Sequence, residues 1–245
     1  MNGDEERRLT IVQHLEELRR VLMIAGGAWL ACTAICFVFN GFLISLLLRP
    51  LKQILPKNNS LLSGAIFTSP TEGLTVPIKV AAIGGVVLAL PVILWQIWTF
   101  VSPGLRPAER KFAGPFIGSA FLLFLAGAAF AYFIMPIGLN FLAGFLNGNA
   151  TYFPDISEYL SFFIFLILVF GATFELPIAI LLLGLLGVVS SRTLRRKRKF
   201  LWVGIIIVAN LVTPGADPFT PAILAIPLIA FFETSVVILD KGFKR

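Results

Sequence analysis

Charge is absent from three long stretches of the chain: Val21 to Leu48, Val80 to Val101 and Phe112 to Phe153. A fourth, Ser161 to Val189, is broken only by Glu175. In hydrocarbon, backbone amides must be satisfied internally, so a spanning segment is a helix of about 20 apolar residues or part of a closed barrel. These runs have helical length. Two weaker windows follow, Phe200 to Val212 and Pro221 to Leu239, the second containing Glu233. At 1.5 Å per residue the first of these reaches only about 20 Å, short of a hydrocarbon core of about 30 Å. Thr213-Pro214-Gly215-Ala216-Asp217-Pro218 supplies turn residues between them, so the last two windows read as a short hairpin.

The pattern therefore predicts an all-α integral membrane protein with six transmembrane helices, the last two short. The expected spans are about 21–48, 76–101, 112–138, 159–189, 200–212 and 220–239. Residues 1–20 are expected to form a cytoplasmic amphipathic helix, with Ile11, Leu15, Leu18 and Leu22 on its apolar face and Thr10 to Gln13 as a capping box. The whole chain is expected to be one polytopic membrane domain. The first apolar run is too long for a cleavable leader, and none is expected.

Composition agrees with this reading. The 245 residues are 58% apolar and 13% charged, against about 25% charged in an ordinary soluble domain. The net charge of +7 gains meaning from where the cations fall. With six spans both termini lie on one side, and 16 of the 20 Lys and Arg residues lie there too. The positive-inside rule makes that side cytoplasmic and the loops Arg49 to Thr71 and Asn147 to Glu158 external. The excess is therefore mainly orientation. No aromatic interleaving suggests nucleic acid, and the run Arg195 to Lys199 reads first as a topological stop and second as a contact for anionic lipid.

No catalytic constellation emerges. The lone histidine, His14, lies in the N-terminal segment, and Cys32 and Cys36, one helical turn apart in an apolar run, read as packing residues. No metal, cofactor or nucleophile arrangement is expected, and the chain is read as a non-enzyme. Recognition or transport remains, and its residues belong to the acidic minority.

Glu16 has Arg20 at i+4 as a surface partner, whereas Glu17 has Val21 there and, by itself, reads as a solvated helix residue. Glu109 follows Ser102-Pro103-Gly104 and Pro107, and its ordinary role is a carboxylate in the first turn of the third span's helix. Glu175 differs, because an acidic side chain near mid-span is costly and is by default functional or helix-pairing. Glu233 lies nearer the end of its window. Asn40, Gln96, Thr173 and Asn210 are candidates for interhelical bonds.

These residues together resemble the TatC family, the multispanning receptor subunit of the twin-arginine (Sec-independent) protein translocase. The resemblance runs from His14 to Glu233: His14-Leu15-Glu16-Glu17-Leu18-Arg19-Arg20, Phe100-Val101-Ser102-Pro103-Gly104-Leu105 with Glu109-Arg110, Phe174-Glu175-Leu176-Pro177, Thr213-Pro214, and Ala225-Ile226-Pro227 followed by Glu233. It implies a receptor for twin-arginine signal peptides of folded cargo proteins in the bacterial or archaeal cytoplasmic membrane, or an equivalent organelle membrane. It also implies single-span TatA/TatB-type subunits as partners, a homo-oligomer within a hetero-oligomeric complex, and transport driven by the proton-motive force.

By resemblance Glu17 and Glu109 bind the arginine pair, with Arg19, Phe100 and Leu105 nearby. Pro50 matches a family proline beyond the first span, and Glu175 a buried polar position that meets the single-span subunits. Glu233 and Asp217 complete the candidate partner-facing set. Two features are set against the family's pattern: Val21 stands where the family usually carries another basic residue, and the family varies in the spacing that here separates Thr213-Pro214 from Asp217. The rival reading of the residues is a proton-coupled small-solute transporter with Glu175 as proton carrier, although no duplicated halves support it.

Overall fold

The computed structural model describes residues 11–53, 69–144, 155–212 and 219–242. They form α1 (Ile11–Val38), α2 (Asn40–Lys52), α3 (Glu72–Val101), a 3-10 turn (Ser102–Gly104), α4 (Pro107–Arg110), α5 (Ala113–Gly144), α6 (Ile156–Phe174), α7 (Leu176–Leu185), α8 (Ser191–Arg196), α9 (Arg198–Val212) and α10 (Phe219–Gly242). Asp217, Thr213-Pro214 and Thr10 lie outside the described residues. Among the described residues, four segments are long and apolar enough to cross a membrane: Gln13–Val38, Glu72–Gly104, Ala113–Asn140 and Ile156–Leu185. The chain is thus an all-α membrane protein. Helix α9, at 15 residues, is short as the sequence predicts, whereas α10 extends to 24 residues, past the expected window at both ends.

Two expected spans are broken. The first ends at Val38 and restarts at Asn40, because the Asn40 side-chain amide donates to the Phe37 carbonyl at 2.7 Å and holds a local turn that competes with the helix. The fourth breaks at Glu175, where Pro177 lacks an N–H and its ring crowds the Thr173 carbonyl one turn back.

Helix α1 runs antiparallel to α3. Their seam is marked by the Trp29 indole donating to the Ala82 carbonyl at 2.9 Å and by stacking of His14 on Phe100. One turn along α1 from Trp29, a Cβ on Gly85 would lie 2.8 Å from the Thr33 backbone. Helix α5 meets α6 as closely, since a Cβ on Gly127 would lie 2.5 Å from the Phe170 carbonyl oxygen. Lipid is as apolar as leucine, so helices in it associate through such close packing. The same logic leaves Leu15 and Leu22 58% and 62% exposed: the apolar stripe expected along the N-terminal helix is not buried against protein. Nor do Glu16 and Arg20 form their expected ion pair among the described residues, a bond worth little on an exposed helix.

The largest core joins α2, α3, α5 and α6 through Leu51, Val80, Met135, Leu160, Phe163 and Phe170. Pro50, inside α2, is fully buried there. Its missing N–H frees the Leu46 carbonyl, and the Tyr132 hydroxyl donates to it at 3.1 Å. The Tyr159 hydroxyl donates to the next carbonyl, Leu47, at 2.9 Å. Asn40 and Asn210 bond carbonyls of their own segments, Phe37 and Ile206, so neither acts as the interhelical glue expected of it. The exposed amide of each finds a helical carbonyl within one turn.

Overpacking a tight helix contact costs about 1–3 kcal/mol. Gly127→Ala is expected to lower the thermal unfolding midpoint in detergent, whereas Gly118→Ala, with nothing within 4 Å of the new Cβ, leaves it in place. Tyr132→Phe strips the Leu46 carbonyl of its donor and is expected to cost about 1–3 kcal/mol, read by chemical unfolding in mixed micelles. A variant as stable as the parent would remove this role from the hydroxyl.

Candidate functional site

The candidate residues of the first two motifs share one end of the bundle. His14 and Phe100 stack with centroids 4.3 Å apart and planes 21° apart, which brings the start of α1 to the end of α3. Trp98 packs on Phe116 of α5 at 4.7 Å. The loop from Ser102 to Phe112 is held over α7: Trp98, Leu105 and Leu185 form one small core, with Leu182 and Leu186 against it. Leu105 is 3% exposed. It therefore fastens the loop from within this small core. Phe100 is half-buried, and Arg19 is exposed.

Glu17 follows His14 by three residues, on the same side of α1. It is half-buried, and its Oε2 is enclosed without a hydrogen-bond partner. The solvated helix residue expected from sequence is thus a carboxylate with one oxygen withdrawn from water. An enclosed acceptor without a donor is destabilising, more so when charged, which makes this position suited to a ligand that brings the donor.

Glu109 lies in α4, separate from α5 and not in the first turn of the third span's helix. Pro115 explains the separation, since a helix continuing through it would set its ring against the Lys111 carbonyl. Glu109 Oε2 accepts the Arg106 backbone N–H at 3.0 Å and caps α4. Beside it Arg110 Nη2 donates to the Pro103 carbonyl at 3.4 Å, tying α4 to the 3-10 turn. Arg19, Arg20, Arg106, Arg110 and Lys111 are exposed and make this end strongly basic.

Glu175 occupies the break between α6 and α7, half-buried, with Oε1 enclosed and unpartnered. Glu233 differs from expectation. Its Oε1 accepts from Arg198 Nε at 2.6 Å and from the Trp202 indole at 3.0 Å, and the Arg198 guanidinium stands 4.9 Å over the Trp202 ring. Glu233 thereby clamps α9 to α10 through this one carboxylate oxygen.

Three polar residues have roles that the sequence pattern does not reveal. Asp240 pairs with Arg195 at 2.7 Å and accepts from Ser191 at 3.2 Å. Its seven-residue spacing from Glu233, which puts both acids on one helix face opposite the basic run, was the available signal. Glu72 is buried at the start of α3, and Lys79 Nζ donates to Ser161 Oγ at 3.0 Å across to α6. No periodicity distinguishes either from a loop-edge charge.

Residues 13–227 match the family described as Sec-independent protein translocase protein (TatC). Among curated relatives of that name, the protein of Magnetococcus marinus is 38% identical over 246 residues, covering 100% of this chain and 89% of the relative. That of Escherichia coli K12 is 36% identical over 227 residues, covering 92% and 86%. A solved structure described as the twin arginine translocase receptor TatC superposes with a TM-score of 0.77 at 34% identity, covering 93% of this chain and 98% of that one. The breaks, the tightly packed α1–α3 seam and the basic end thus stand in a chain that belongs to the TatC family of Sec-independent protein translocase proteins.

Proposed function

We propose that the chain is the receptor of the twin-arginine translocation system, a non-enzymatic component that binds twin-arginine signal peptides of folded proteins at a carboxylate patch formed by Glu17 and Glu109. The observation that carries the site is the enclosed, donor-less oxygen of Glu17 at the end of the bundle that also bears Glu109. A guanidinium offers paired N–H donors in a planar fork, whereas an ammonium is a compact point charge, so carboxylates in fixed positions favour Arg-Arg over Lys-Lys. Phe100 supplies an aromatic wall, and Arg19 borders the patch. Leu105 acts indirectly by fastening the loop.

The basic end is cytoplasmic in this reading, by the positive-inside rule, and α9 and α10 complete six spans with both termini on that side. The membrane is the bacterial cytoplasmic membrane or its equivalent, and the proton-motive force supplies the work. Glu175, with Oε1 enclosed and unpartnered, meets a polar group of a single-span partner subunit, and Pro50 stiffens the segment that supports that face. Nothing in the family match supports the alternative of a proton-coupled small-solute transporter.

Hydrogen bonds to charged groups contribute about 1.5–3 kcal/mol. Glu17→Gln is therefore expected to weaken twin-arginine peptide binding about 10- to 100-fold with unfolding unchanged. Glu109→Gln, whose amide oxygen still accepts the Arg106 N–H, is expected to weaken binding without loosening α4. Isothermal titration in detergent measures both, and unchanged affinity for both variants would sink the patch. Glu175→Ala is expected to abolish most co-purification of single-span subunits while peptide affinity stays within about two-fold; intact co-purification would contradict the partner role.

A further inference from the structure

The segment joining α7 to α9 holds more positive charge than its ion pairs use. Of the six cations from Arg192 to Lys199, Arg195 is paired with Asp240 and Arg198 with Glu233. Arg192, Arg196, Lys197 and Lys199 are exposed, and none meets a carboxylate within ion-pair distance among the described residues. Four like charges within eight residues repel one another, and an anion brought to them relieves that repulsion.

What lies beside these charges identifies the anion. Along the outer surface of α9, Lys199 is followed by Phe200, 80% exposed, and then by exposed Val203, Ile206 and Ile207. Their spacing of three and four residues makes one stripe. A cationic rim above an apolar stripe matches a phospholipid, with headgroup over acyl chain. Inorganic phosphate would use the rim alone, and an acidic peptide in water would leave the stripe uncovered. Helix α9, with 15 residues, is about 22 Å long, so the bilayer beside it thins and draws headgroups toward the rim. Trp202, fixed by its bond to Glu233 and by Arg198 over its ring, marks the interface one turn below.

We propose that Arg192 to Lys199 and the outer face of α9 form a binding site for an anionic phospholipid, its phosphate taken by the unpaired cations and its chain lying on Phe200 and Val203. The site rests on the membrane placement of α9 given above and is independent of the peptide patch.

The test uses the full chain purified in detergent, with native mass spectrometry reading lipid affinity and thermal unfolding reading stability. Phosphatidylglycerol is expected to bind more tightly than phosphatidylcholine and to raise the unfolding midpoint, while inorganic phosphate and polyglutamate do neither. Replacing Arg196, Lys197 and Lys199 together by Gln is expected to weaken phosphatidylglycerol binding about 100-fold, about five-fold per charge, and to leave the lipid-free midpoint unchanged. Lys52→Gln at the opposite end of the bundle leaves binding unchanged. Phe200→Ser, which keeps every charge, is expected to weaken the lipid without creating affinity for phosphate, and it reads the site even if the triple variant fails to fold. Equal affinity for both lipids, an undiminished affinity in both variants, or a gain reproduced by phosphate or by polyglutamate would each overturn the proposal. Twin-arginine peptide affinity measured on the same samples is expected to be unchanged, so failure of the receptor reading shows separately.

Discussion

The arrangement depends on the closeness with which α1 lies against α3. In hydrocarbon there is no water to drive apolar faces together, so contact comes from shape and from the few hydrogen bonds available. Gly85 admits the Thr33 backbone to a distance no side chain would allow, and the Trp29 indole fixes the register on the Ala82 carbonyl. With register set there, an antiparallel pair can bring only certain residues together at its basic end, and His14 comes to rest on Phe100. Glu17, three residues on from His14 on the same side of α1, is half-buried beside this contact.

A second mechanical link starts at Glu175. Helix α7 begins immediately after it and ends at Leu185, which packs with Trp98 and Leu105 under the first basic loop. One short helix therefore connects the intramembrane carboxyl to the support of the loop that carries Glu109. Elsewhere in the bundle, Tyr132 and Tyr159 satisfy carbonyls of α2 around Pro50. A proline inside a helix is tolerated where another group takes up the bond it removes. Pro50 is buried among these contacts, where it shapes the backbone of α2.

Much of the fold could be read from charge-free runs, because hydrocarbon leaves the backbone no alternative to helix over such lengths. The interruptions were harder to foresee. Asn40 breaks the first run through one local side-chain bond, a competition that hydropathy does not register, while Pro177 gave fair notice of the break at Glu175. Among the site residues, the motifs placed Glu17 and Glu109 at one membrane edge, but burial separated roles that sequence had merged. Leu105 proved to be a fastener, and Glu233 a partner of Arg198 and Trp202. Such pairings join residues 31 to 35 positions apart, and only the packing of α9 on α10 decides them. The enclosure of Glu17 Oε2 likewise has no signature within α1.

Electrostatically the site works against its surroundings. The chain carries a net +7, and the exposed cations Arg19, Arg20, Arg106 and Arg110 flank the proposed patch, so a doubly cationic motif enters a positive field. Attraction must come from short-range geometry at two carboxylates, which is where arginine and lysine differ most. The ratio of affinities for an Arg-Arg and a Lys-Lys version of one signal peptide, measured with the purified protein in detergent, tests this claim most directly. Preference for Arg-Arg by about ten-fold or more is expected, as bidentate hydrogen bonds to a carboxylate are lost with lysine. Equal affinity for the two peptides would contradict it.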